Sequence, residues 1–72
     1  MNNSQVTFVE GVVAENLPNA LFRIKTDDER MILCRLSGKM RTNYIRLLPG
    51  DRVRCETPIQ DPNRGRIIFK FR

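Results

Sequence analysis

The sequence predicts an all-β fold, a five-stranded barrel with one short helix between the third and fourth strands. Three observations carry this expectation. Apolar residues alternate with polar ones in short runs, as on a half-buried strand, instead of recurring at helical spacing. Turn-forming clusters separate the runs: Leu17-Pro18-Asn19, Asp27-Asp28-Glu29, Pro49-Gly50-Asp51 and the two-proline stretch from Pro58 to Arg64. One basic segment, from Ser37 to Tyr44, breaks the alternation and reads as helix.

Each element follows from its residues. The first strand spans residues 6–14, with Gly11 as a bulge or bend inside it. Residues 15–19 form a turn, because Pro18 fixes its own φ and keeps Leu17 extended. The second strand, 20–26, puts Phe22 and Ile24 on one face and Arg23 and Lys25 on the other. A turn at Asp27-Asp28-Glu29 leads into the third strand, 30–36. Ser37 is a helix cap, and residues 39–43 supply about a turn and a half of helix. Leu48-Pro49-Gly50-Asp51 fits a type II turn, with proline second and glycine third. The fourth strand, 52–57, alternates Val53 and Cys55 with charged residues. The fifth, 65–71, points Ile67, Phe69 and Phe71 one way and Arg66, Ile68 and Lys70 the other. This order matches the OB-fold, a partly open Greek-key barrel that binds oligonucleotides. An SH3-like barrel has a similar strand count, and the helix between strands three and four favours the OB-fold.

Length and composition narrow the function. A chain of 72 residues makes one domain, 1–72, with a modest core and nothing left for a separate catalytic domain. Residues 1–5 are polar with no apolar run behind them, so no secretory signal is visible. No stretch approaches the roughly 20 apolar residues of a membrane span. The reading is a soluble intracellular protein. Its net charge of +5 is lopsided: residues 1–34 hold three cations against five acids, a balance of −2, and residues 35–72 hold ten against three, a balance of +7. Ten of the thirteen cations are arginine, which forks onto phosphate and stacks on bases. A basic half beside a slightly acidic one implies a face directed at nucleic acid.

Several chemistries are excluded by residue type. Two cysteines and no histidine cannot complete a zinc site or a Cys–His nucleophile pair, and Cys34 and Cys55 read as small buried hydrophobes. Ser37-Gly38-Lys39 shares residues with a P-loop, but the upstream glycine is missing and Met40 replaces the hydroxyl. Asn2-Asn3-Ser4 fits a glycosylation sequon that has no meaning without secretion. No acid–base pair, metal cluster or cofactor motif emerges, so the expectation is a binding protein with no catalytic residues, metal or cofactor.

The binding residues are expected in two clusters. Lys39, Arg41 and Arg46 lie on or beside the irregular segment, and Arg64 and Arg66 flank the entry to the last strand. In an OB-fold the loop between strands four and five neighbours the nucleic-acid face, so the clusters are expected to line one groove. Tyr44 has two readings, a stacking platform for an unpaired base or a staple between helix and barrel. Phe8, Phe22, Phe69 and Phe71 are expected in the core, leaving recognition to shape and phosphate more than to base stacking.

Leu17-Pro18-Asn19, Phe22-Arg23, Ser37-Gly38-Lys39-Met40-Arg41, Asn43-Tyr44-Ile45-Arg46, Gly50-Asp51 and Arg64-Gly65-Arg66-Ile67, in this order and spacing, closely resemble bacterial-type translation initiation factor 1. The resemblance covers nearly the whole chain. It implies an S1-like OB-fold that docks at the A site of the small ribosomal subunit, against rRNA and a neighbouring ribosomal protein. It further implies that the factor blocks premature tRNA entry and cooperates with initiation factors 2 and 3, as a monomer. The RNA-binding residues it implies are Lys39, Arg41, Tyr44, Arg46, Arg64 and Arg66. Two positions depart from the family: Arg35 stands where a histidine is common, and Gln60-Asp61-Pro62 replaces Tyr-Asp-Leu. Leu48-Pro49-Gly50-Asp51-Arg52-Val53 looks like plastid and cyanobacterial members. With no transit peptide visible, the expected location is bacterial cytoplasm, with plastid stroma as the alternative. Two other functions fit the basic barrel: a general single-stranded RNA chaperone, and a module that meets an acidic protein.

Overall fold

The computed structural model describes residues 5–71; the Asn2-Asn3-Ser4 sequon and the charge of Arg72 lie outside that range. Five strands, β1 (Val6–Leu17), β2 (Leu21–Thr26), β3 (Met31–Leu36), β4 (Arg52–Pro58) and β5 (Arg64–Lys70), close into a barrel in the order β1-β2-β3-β5-β4. A single helix, α1 (Gly38–Thr42), joins β3 to β4. Neighbouring strands are antiparallel except β3 and β5, which run parallel from Leu33↔Arg64 to Leu36↔Ile67. This arrangement matches the OB-fold.

Alternation builds the core. Val13, Phe22, Ile24, Ile32, Cys34, Val53, Cys55 and Ile67 point inward and are buried, each branched side chain contributing about 1.5–3 kcal/mol. Met40 from α1 and Leu47 from the loop after it complete the same cluster, so the irregular segment is part of the hydrophobic core as well as part of the surface. Both cysteines are buried free thiols. A hydrogen bond with Cys55, reinforced by burial, pushes the Cys34 thiol far above the ordinary thiol range, so it stays protonated and unreactive.

Three expectations need correction. First, β1 continues to Leu17, and its bulge lies at Ala14, between Val13 and Glu15, not at Gly11. Gly11 pairs regularly with Thr26 on one side and Val53 on the other. It is glycine because a Cβ there would sit 2.3 Å from the Lys25 carbonyl oxygen. Second, the β1–β2 turn is tighter than expected: Leu17 already faces Leu21, with Asn19 and Ala20 in left-handed conformations at φ 66° and 58°. Third, two phenylalanines assigned to the core are on the surface. In β5, Ile67 faces Cys55 and Phe69 faces Arg54, so Ile68 is an extra residue and the alternation inverts beyond it. Phe69 therefore turns outward, 51% exposed, and Phe8, opposite Glu56, is 59% exposed. Phe22 is buried as expected. Phe71 is half-buried, edge-on to Phe69 and 5.5 Å below the Arg54 guanidinium.

Candidate nucleic-acid interface

The basic segment is rigidly seated because its small and polar residues spend their hydrogen bonds on the barrel. Ser37 has extended backbone at the N-cap; its Oγ accepts from the Met40 N–H at 3.2 Å. Its own N–H donates to the Ile67 carbonyl at 2.9 Å, which ties the start of α1 to β5. Beyond the helix, Asn16 Nδ2 donates to the Leu47 carbonyl at 3.1 Å and Lys70 Nζ to the Arg46 carbonyl at 3.2 Å. The expected turn at Leu48–Asp51 forms, with Asp51 N–H donating to the Leu48 carbonyl at 3.0 Å and Gly50 at φ 98°. Asp51 also accepts from the Leu48 N–H at 2.9 Å. The backbone is held, and the side chains of Lys39, Arg41, Tyr44 and Arg46 project into solvent.

Tyr44 is 91% exposed, which removes the staple reading. Its φ of 56° is in the left-handed region, where a bulky residue sits at a cost that only tertiary context or function offsets.

Ion pairing divides the cations into two groups. On the β1–β2–β4 side, each is met by a carboxylate: Arg23 by Glu15 (3.8 Å), Lys25 by Glu29 (3.3 Å), Arg30 by Asp28 (3.0 Å), Arg52 by Asp27 (2.6 Å) and Arg54 by Glu10 (3.0 Å). The hydrogen bonds from Arg52 to Asp27 and from the Thr26 hydroxyl to Asp28 hold both carboxyls below the ordinary carboxylate value. On β5, Arg66 is paired with Glu56 and Lys70 with Asp51 (3.5 Å). Among the described residues, Arg35, Lys39, Arg41, Arg46 and Arg64 have no carboxylate within 4.0 Å, and all five are exposed. They occupy β3, α1, the loop after it and the start of β5.

The helix α1, which carries Lys39 and Arg41, packs against β3, which carries Arg35, and β5, which carries Arg64 and Arg66. Ion pairing sets two residues apart. Arg66, an expected site residue, already carries a partner in Glu56. Arg35, a departure from the family pattern and not among the expected site residues, is unpaired and stands in register with Arg66. Its outward position in the basic half was legible in the sequence; the missing partner was not. Two hollows of about 350 and 310 Å³ flank the Arg64-Gly65-Arg66 ridge, the larger bordered by Val6, Pro58 and Asp61, the smaller by Leu21, Leu33 and Arg35. Among the described residues, no group of three or more His, Cys, Asp or Glu is placed to hold a metal ion.

The family model described as translation initiation factor 1A / IF-1 matches residues 3–72. The chain belongs to this family. Its members are RNA-binding initiation factors and not enzymes. A chloroplastic translation initiation factor IF-1 from Hedera helix is 54% identical over 63 residues, covering 88% of this chain and 82% of the ivy protein. The chloroplastic IF-1 of Glycine max is 49% identical over 88% of this chain, which spans only 46% of the soybean protein's length. The solution structure of the translation initiation factor IF-1 from the Wolbachia endosymbiont strain TRS of Brugia malayi is 43% identical, with a TM-score of 0.77 over 93% of this chain and 79% of that one. The expected S1-like OB-fold and family thereby hold. These plant relatives are named chloroplastic, which supports the plastid alternative over the bacterial-cytoplasm default.

Proposed function

We propose that this chain acts as a single RNA-binding barrel at the A site of the small ribosomal subunit, in the plastid stroma. It grips rRNA through Lys39, Arg41, Tyr44, Arg46, Arg64 and Arg66. From there it blocks premature tRNA entry, touches a neighbouring ribosomal protein and cooperates as a monomer with initiation factors 2 and 3. The observation that supports this best is that, among the described residues, five exposed cations on β3, α1, the loop after it and β5 lack a carboxylate, while every other described Arg and Lys has one. Unpaired cations are the ones available to displace counterions from a phosphate backbone. A surface meant only for solubility has no reason to sort its ion pairs by face. Tyr44, strained and exposed beside Arg46, suits a base drawn out of a stack.

Chemical footprinting of purified small subunits tests the reading. Protection confined to the decoding region is expected, with loss of protection in a Lys39→Gln, Arg41→Gln, Arg46→Gln variant. Protection spread evenly over the rRNA, or equal affinity for arbitrary oligonucleotides, would overturn it in favour of a general RNA chaperone.

A further inference from the structure

We propose that Arg35 and Arg64 form a second phosphate subsite, one that extends the RNA contact along the β3–β5 seam beyond the helix and its loop. The inference rests on the RNA-binding reading above and deepens it. Three features converge on it. First, Leu33 faces Arg64 and Arg35 faces Arg66 across the parallel β3–β5 pair. Arg35 and Arg64 are therefore diagonal neighbours on one outward face, about 8 Å apart by strand spacing. Second, both belong to the unpaired set, whereas Arg66 beside them is engaged by Glu56. Third, they border the same hollow of about 310 Å³, whose remaining lining is Leu21, Leu33 and Gly65. Leu21 and Leu33 give the hollow an apolar floor.

Two guanidinium groups bordering one hollow suit successive phosphodiesters of a single strand, each held by the forked hydrogen bonds of one arginine. Arg35 supplies the subsite with a permanent charge.

Salt-dependent binding of the full chain to purified small subunits, between 50 and 300 mM salt, tests it. Losing one phosphate contact is expected to make the slope of log affinity against log salt shallower by about 0.7–0.9 in Arg35→Gln. Arg35→Lys, which keeps the charge, is expected to restore the wild-type slope while giving back only part of the affinity, because the fork is lost. Arg41→Gln serves as the control for the parent reading. If Arg41→Gln lowers the slope and Arg35→Gln leaves it unchanged, the subsite is overturned and the RNA reading stands. If neither changes it, the RNA reading itself fails. If Arg35→Lys lowers the slope as much as Arg35→Gln, charge at this position is not what RNA meets, and the subsite is overturned. Arg35 is exposed and unpaired, so equal melting temperatures are expected for the wild type and both Arg35 variants.

Discussion

Neutralising Arg41 and Arg46 together removes two of the five described cations that have no carboxylate partner. Each phosphate contact contributes about 0.7–0.9 to the slope of log affinity against log salt, so five contacts give about −4 and three give about −2.4. Raising salt fourfold then weakens wild-type binding to small subunits by about 250-fold, and the Arg41→Gln, Arg46→Gln variant by only about 30-fold. Neither side chain packs against the barrel, so unfolding free energy is expected to change by no more than about 0.5 kcal/mol. Fluorescence anisotropy of labelled protein against small subunits, from 50 to 200 mM salt, reads the slopes, and thermal unfolding checks the fold. Arg23→Gln is the internal comparison: Arg23 is already paired with Glu15, so its loss is expected to leave the slope unchanged. Equal slopes for the wild type and the double variant, or an Arg23→Gln effect as large as the double variant's, would refute the sorting of cations by ion pairing.

Tyr44→Gly is expected to preserve or slightly raise the melting temperature, because glycine accepts φ 56°, while weakening small-subunit binding about 5- to 150-fold through loss of stacking; unchanged affinity would remove Tyr44 from the interface. Gly11→Ala forces a methyl group against the Lys25 carbonyl and is expected to cost about 1–3 kcal/mol, seen as a melting temperature lower by about 5–20 °C. Glu56→Gln releases Arg66 and is expected to steepen the salt slope by about 0.7–0.9, an effect absent if Arg66 stays clear of RNA. The depressed carboxyls of Asp27 and Asp28 stabilise the fold fully above their ordinary value of 3.8, and this is lost as pH falls through their lower folded values. Melting temperature is therefore expected to drop in acid below about pH 4, less steeply in Arg52→Gln; a drop that begins near pH 6 would implicate another group.

Strand order and the helix at Ser37 were legible because local chemistry sets them. Proline and glycine mark the turns, alternation marks the faces, and a serine cap starts the helix where alternation stops. The errors all fell where one strand meets another. Nothing within Val6–Leu17 reveals that the bulge is Ala14, because a bulge is a mismatch between two strands and exists only once β2 is alongside. Phe69 reads as core for the same reason: the extra residue at Ile68 is defined by pairing with β4, and it turns the ring outward. Arg35 and Arg66 show the same effect in charge. Both are basic residues at outward positions, yet β4 supplies Glu56 to one and nothing to the other.

The amino-acid sequence by itself determined the barrel, its basic half and its family, because propensity, pattern and motif spacing are properties of neighbouring residues. Tertiary structure alone decided which cations remain uncompensated and which aromatic rings face solvent. Ion pairing and register depend on residues that are distant in the chain and adjacent only after the barrel closes, as with Arg54 and Glu10 at 3.0 Å across β1 and β4.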